Sequence, residues 1–281
     1  MMFRWLKIAA CVGVAALGMP SAMAEDPAPV SLNALIHDDA DAVAKLIAER
    51  RSNEGRAATM HFHLQNKAGR VRERTALMVH SDVEDVERIA IFFNKPAMIE
   101  ETAFLSHNHE ARDDENWLFL PATERVRRIP VSERGDNFMG TDLTYGDVND
   151  NFKFGLDDWT FAHGGAEIEG DKTYVFLSGS AKTEAVRNEL GYASFAAKID
   201  LKTAFPVRVE YTDKDGEPLK IVHVHEIDVV GDAHTAMRFT AENLQTGHKT
   251  EVHFTNMRYV PNLDQSVFDP SALSYGVPEI G

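Results

Sequence analysis

The apolar positions of this chain change their period once. Over residues 32–51 they recur with helical spacing: Ala40, Val43, Ala44 and Ile47 fall at i, i+3, i+4 and i+7 and share one stripe. Asp38 or Asp39 is placed to cap this helix, and Gly55 lies shortly beyond its end. From residue 57 to residue 259 the period is two. Met60, Phe62 and Leu64 alternate with His61 and His63, Phe195, Ala197 and Ile199 with Lys198 and Asp200, and Phe205, Val207, Val209 and Tyr211 with Arg208 and Glu210. Turn signals separate such runs at residues 66–69, at Gly170-Asp171 and at Asp215-Gly216. The pattern predicts roughly ten or eleven strands with short connections, an α+β chain that is mainly β, built on one large antiparallel sheet. Twist makes a sheet of that width curl. Its apolar alternates then face inward under a cover, with the helix at 39–52 and the non-periodic residues 130–157 as candidates. Two outcomes are open: the cover plugs the curl into a solid core, or it leaves a hollow.

The N-terminus changes the setting. Arg4 and Lys7 precede an apolar stretch at residues 8–19, and Ala22-Met23-Ala24 has the small-x-small form of a cleavage site, so residues 1–24 read as an export signal cut after Ala24. Residues 25–281 then form one mature domain, with a bacterial periplasm as the destination. No later run approaches the ~20 apolar residues of a membrane-spanning helix. Cys11 is the single cysteine and falls within the signal, which leaves the mature chain without a disulfide or a thiol nucleophile. Without Arg4 and Lys7, 27 basic residues face 44 acidic ones, a formal charge of about −17. That charge disfavours nucleic acid and anionic lipid surfaces as partners.

Residues 117–148, WLFLPATERVRRIPVSERGDNFMGTDLTYGDV, combine an apolar strand, three closely spaced arginines and a loop rich in Met and aromatic side chains. Trp117 and Phe119 point to one face and Leu118 and Leu120 to the other, as in a strand covered on both sides. The order WLFLPATERVRRI then FMGTDLTYGDV, preceded by Thr102-Ala103-Phe104-Leu105, resembles the LolA-like family of outer-membrane lipoprotein-sorting proteins. The later FPVRVEYTDKDGEPLK hairpin extends the resemblance over most of the mature chain. Gly146 departs from the pattern, which suggests a further acidic residue there. The resemblance implies an unclosed (half) barrel with helices over its mouth, an apolar cavity for lipid or lipoprotein acyl chains, and a possible inner-membrane exporter of the resistance-nodulation-division type as partner.

Strand alternation and the loop composition nominate Met60, Phe62, Leu77, Phe92, Trp117, Phe119, Phe138, Met139 and Tyr145 as cavity lining. Arg125, Arg127 and Arg128 have two readings. They hold an anionic head group at the rim, or they pair with Asp142 and Asp147 and brace the loop. A monomeric, non-enzymatic carrier or chaperone is the leading expectation, and a non-carrying accessory subunit of an envelope transport complex is the alternative. Enzyme motifs are missing: there is no Gly-x-Ser-x-Gly elbow, His-Glu-x-x-His helix or phosphate loop. The pairs His61/His63, His107/His109 and His223/His225 lack a third ligand at a suitable spacing, and Asp147, Asn149, Asn151 and Asp158 resemble a calcium loop but for Phe152 where glycine is needed. No metal or cofactor is expected.

Overall fold

A computed structural model describes residues 39–109 and 114–280; the export signal read at residues 1–24 lies outside them. The helical stripe folds as α1 (Ala40–Ala48), capped by Asp39, whose Oδ1 accepts from the Ala42 N–H at 2.9 Å. Thirteen strands follow among the described residues: β1 (Arg56–Gln65), β2 (Val71–Val83), β3 (Val86–Lys95), β4 (Ala103–His109), β5 (Glu115–Leu120), β6 (Arg125–Ile129), β7 (Trp159–Glu169), β8 (Lys172–Ala181), β9 (Ser194–Asp200), β10 (Phe205–Thr212), β11 (Pro218–Val230), β12 (Ala233–Asn243) and β13 (Lys249–Tyr259). Two short helices, α2 (Tyr145–Asp150) and α3 (Glu184–Leu190), sit between strands. The anticipated turns are present, with Gly170 at φ +64° and Gly216 at φ +89°. The tight β2–β3 turn is made by Glu84 and Asp85, both at positive φ, a conformation that glycine and asparagine more often supply.

All thirteen strands pair antiparallel in one sheet, ordered β6-β5-β4-β3-β2-β1-β13-β12-β11-β10-β9-β8-β7. Two meanders, β1–β6 and β7–β13, are thus joined through the β1–β13 pair, and the strands consecutive across residues 130–158 occupy opposite edges. Laid flat, β6 and β8 would stand roughly 50 Å apart at ~4.8 Å per strand. Yet Gly135, a few residues beyond the end of β6, lies directly against Glu189, Leu190 and Gly191 at the end of α3, and α3 packs on β8. A handful of residues reaches about 20 Å at most. The sheet is therefore curled, with its two edges facing each other across this segment, and it remains unclosed because β6 and β7 do not pair.

The inner face carries Met60, Phe62, Ala76, Met78, Ile89, Ile91, Phe93, Phe104 and Leu118 in one half and Leu177, Phe195, Ile199, Val209, Val222 and Phe239 in the other, together with the buried side of α1. The alternate residues Val79, Ala90, Phe92, Ala103, Leu105 and Phe119 form a second core on the outer face, covered by Val260, Leu263, Val267, Phe268 and Leu273 of the C-terminal segment. Residues 130–158 cross the inner face and are held at several points. Arg74 on β2 donates to the Met139 carbonyl. Asp142 accepts from Thr250 Oγ1 at 2.7 Å and pairs with His248 Nδ1 at 2.6 Å, both next to or on β13. Arg134, nearly buried, meets Asp150 at 2.7 Å, Asp158 at 3.4 Å, Glu189 at 3.5 Å and Asp114 at 3.9 Å. Burial pushes the Asp150 carboxyl up to about 7 against the pull of Arg134, with Asp114 and Asp158 adding to the rise.

Asp147 is a second anchor. It closes a capping box with Thr144 at the start of α2. The same carboxylate takes the buried Lys220 ammonium of β11 and the Tyr192 hydroxyl. Lys220→Met strips this carboxylate of its cation while keeping the side chain's bulk, and removing one partner of a buried pair costs about 3 kcal/mol or more. Urea unfolding is expected to show a midpoint lowered accordingly. An unchanged midpoint would mean that Tyr192 and the α2 backbone satisfy Asp147 by themselves.

Candidate functional site

Aromatic side chains from the crossing segment fill the inner face on two flanks. On the first, the Phe138 ring stands 5.2 Å from Phe104 and 5.6 Å from Tyr145, and Phe62 stacks on Phe93 at 5.7 Å. On the second, Phe154 stacks on Phe195 at 4.0 Å and Phe152 meets Phe239 edge-on at 4.9 Å. Between the flanks lies a cavity of about 110 Å³. Met60, Met78, Ile89 and Ile91 wall it on one side, Val209, Val222, Ala236 and Phe239 on the other, and Leu143, Val148, Phe152 and Phe154 lie over it.

Among the polar side chains that interrupt this apolar lining, Asp147 and Asp150 are bonded to Lys220 and Arg134, and a second group comprises Arg50, Ser52, Arg56, His80, Asn151 and Lys153. This second group gathers around Glu87, which accepts from His80 Nε2 at 2.7 Å, Asn151 Nδ2 at 2.9 Å and Lys153 Nζ at 3.0 Å. Burial alone would raise the Glu87 carboxyl, but His80, Lys153 and Asn151 outweigh it and hold the group well below the usual carboxylate range. His80 is fully buried, and burial followed by the charge of Arg56 depresses its imidazole to about 4. The neutral ring therefore donates Nε2–H to Glu87, and Nδ1 is left as an acceptor without a partner. Arg50 donates to the carbonyls of Asn151 at 2.6 Å, Phe152 at 3.3 Å and Ala204 at 3.3 Å, and burial lowers its guanidinium to about 10. Arg56 gives Nη1 to Thr235 Oγ1 at 3.1 Å, and its buried Nε has no partner.

The residues nominated from sequence divide in three. Met60 lines the cavity. Phe62, Phe138 and Tyr145 lie on the inner face within the packed aromatic flank, and Met139 is half-buried beside it. Leu77, Phe92, Trp117 and Phe119 belong to the outer core, under the C-terminal segment, which corrects their assignment to the lining. Alternation states which residues share a face; it does not state which face is inner, and β2–β5 are apolar on both.

The arginines also fall elsewhere. Arg125, Arg127 and Arg128 are exposed on the edge strand β6, where Arg127 pairs with Glu133 at 2.9 Å and Arg128 with Glu115 at 3.1 Å. Neither the head-group position nor the brace to Asp142 and Asp147 is what they occupy. Charges on an exposed edge oppose pairing with a foreign strand. Of the arginines at the cavity, Arg50 belongs to those that end the N-terminal helix and Arg56 opens β1, positions that read as solvated in the sequence. Gly146 lies against the Arg134 side chain, with space for no more than a Cβ at 3.1 Å from Arg134 Cγ.

His107 and His109 stand on β4, and with Glu115 they bring three possible ligand atoms within 4.8 Å of one another. That set is already engaged. His107 Nε2 bonds the Phe268 carbonyl at 2.9 Å, and the Arg128 guanidinium sits on Glu115.

A curled, unclosed antiparallel sheet with its helices and a crossing segment on the inner face is the LolA-like fold. A family model described as "Uncharacterized protein" matches residues 85–275, and the chain belongs to that family. A solved domain from Vibrio parahaemolyticus, described as part of an outer membrane lipoprotein-sorting protein, is 25% identical with a TM-score of 0.75, covering 84% of this chain and 98% of that one. A DUF1329 family protein from Desulfovibrio piger is 22% identical with a TM-score of 0.73, covering 83% and 97%. A LolA superfamily protein from Nitrosomonas europaea is 16% identical with a TM-score of 0.61, covering 82% and 97%. No curated protein matches. Among the described residues no helix is long and apolar enough to cross a membrane.

The depressed imidazole makes a pH prediction. Above about 6.5 His80 is neutral whether the chain is folded or unfolded. As the pH falls from 6.5 towards about 4 the unfolded chain takes up a proton that the folded one refuses, so stability is lost across that window. Asp150, raised to about 7, acts with the opposite sign over an overlapping range, so the variant is read against the wild type. His80→Gln keeps an N–H for Glu87 and removes the titration. Its unfolding free energy is expected to fall less on acidification, and superimposable pH profiles would show that His80 titrates normally in the fold.

Proposed function

We propose that this protein is a non-enzymatic periplasmic carrier or chaperone that binds lipid or lipoprotein acyl chains in the inner-face cavity. It would serve outer-membrane sorting or an exporter of the resistance-nodulation-division type. The observation that carries this reading is the hollow itself: a partly open space walled largely by Met, Ile, Val and Phe side chains, left between two aromatic flanks in a sheet that does not close. Apolar walls of this kind are poorly hydrated and gain from an apolar guest. The lipoprotein-sorting description of the Vibrio domain and the export signal point the same way. The function is read as that of a monomer without cofactor.

A second reading rests on one measurement. At about 110 Å³ the cavity is smaller than the roughly 150 Å³ space that admits a benzene ring, so an acyl chain enters only if the walls give way. Methionine walls at Met60, Met78 and Met257 permit that, since the side chain repacks readily. If they hold, the molecule is an accessory subunit that docks on an envelope complex and carries nothing.

Native mass spectrometry of protein purified from periplasm, with lipid extraction of the same sample, separates the two. A carrier is expected to show a co-purifying lipid mass that disappears in Ala236→Phe, which fills the hollow from its wall. A clean apo mass together with no uptake of added lipid would leave the accessory-subunit reading.

A further inference from the structure

We infer that the cavity takes a single acyl chain bearing one compact anionic head, a carboxylate or a phosphate monoester, seated on Arg56 with Arg50 beside it. This deepens, and rests on, the carrier reading above. Both guanidiniums border the cavity and are almost fully buried, Arg50 at 8% and Arg56 at 5% exposure. Among the described residues neither has a carboxylate within 4.0 Å. In a chain carrying 44 acidic residues that is unusual; Arg134, similarly buried, is surrounded by four. A cation in the interior without a contacting anion is a costly state unless something supplies the counter-charge.

The neighbouring carboxylates do not supply it. Glu87 and Asp82 act on Arg56 through space and not by contact. Glu87 is already bonded by His80, Asn151 and Lys153. The donors of Arg50 go to three carbonyls, Arg56 has only the Thr235 hydroxyl, and Arg56 Nε is buried with nothing to donate to. His80 Nδ1 is a second unpartnered atom in the same wall and, as an acceptor, complements a hydroxyl of a phosphate monoester or an undissociated acid. The planar guanidinium suits a carboxylate or phosphate in two-point contact.

Position and volume set the rest of the ligand. Arg51, next along the wall, is exposed and paired with Asp232, which sets the cationic group nearer solvent; of the carboxylates that also line the cavity, Asp147 is taken by Lys220 and Asp150 by Arg134. A hollow of about 110 Å³ has to widen for even one chain. The three chains of a triacylated lipoprotein would displace the packed Phe138 and Phe154 flanks as well.

The test titrates delipidated full-length mature protein with palmitate, hexadecyl phosphate and hexadecanol, read by displacement of a fluorescent apolar probe. One or both anions are expected to bind about tenfold or more tightly than the alcohol, the scale of a charge-assisted hydrogen bond. Arg56→Gln is expected to bring the anions down to the alcohol and leave the alcohol unchanged. Equal affinity of all three for the wild type overturns the head-group site while the carrier reading survives. If none of the three binds, the carrier reading falls with it. The wild-type comparison of anion with alcohol decides the matter even if the variant does not fold.

Discussion

Two strands adjacent in sequence, β6 and β7, stand at the two far edges of one sheet, and most of the architecture follows from the need to connect them. The connection has to pass over one face, so that face becomes the inside. It has to be short relative to a flat sheet, so the sheet curls. Its apolar residues lie against the strands it passes, so Phe138, Leu143, Phe152 and Phe154 become core. The two covers of the inner face differ in consequence. The crossing segment is tied at both ends and latched in between by Arg74, Lys220, His248 and the carboxylates around Arg134. Helix α1 is continuous with the sheet at one end and presents Ala42, Val43, Ala44 and Ile47, small side chains whose burial contributes less per residue than the rings of the crossing segment.

Charge is distributed by the same geometry. Most buried cations here are matched by contact: Lys220 by Asp147, Lys153 by Glu87, Arg134 by four carboxylates. Around Arg134 the acids are in excess, and burial, with Asp114 and Asp158 adding to it, raises the carboxyl of Asp150. Around Arg50 and Arg56 the imbalance runs the other way, and burial lowers both guanidiniums without a touching anion to restore them.

Much of this was legible in the sequence. The helical stripe of α1 and its Asp39 cap, the hairpins at Gly170 and Asp215-Gly216, and the antiparallel sheet with a non-periodic cover are direct consequences of local spacing and turn chemistry. The signals for α2 and α3 were present but short: Thr144-x-x-Asp147 as a capping box, and Thr183 with Gly191 as the two ends of a seven-residue helix. What spacing does not carry is long-range placement. Phe92 and Phe93 look equivalent in the sequence and differ only because residues 260–280 return to cover one side of β3. Arg127 and Arg56 both begin as arginines in amphipathic strands, and only the sheet order puts the first on an open edge and the second beside the central pair β1–β13.

Arg50 is where the separate parts meet. It follows α1 immediately, and its guanidinium holds backbone carbonyls of Asn151 and Phe152 from the crossing segment and of Ala204 from the turn before β10. Its face packs on the Phe205 ring at 3.9 Å. Three stretches of chain far apart in sequence therefore share one charged group, and that group also borders the hollow. Carbonyl oxygens are neutral acceptors, so each of these bonds is weaker than one to a carboxylate would be. A carboxylate in their place would pin the guanidinium to one neighbour; three carbonyls hold α1, the crossing segment and the β9–β10 turn together while leaving the charge at the cavity wall without a contacting carboxylate.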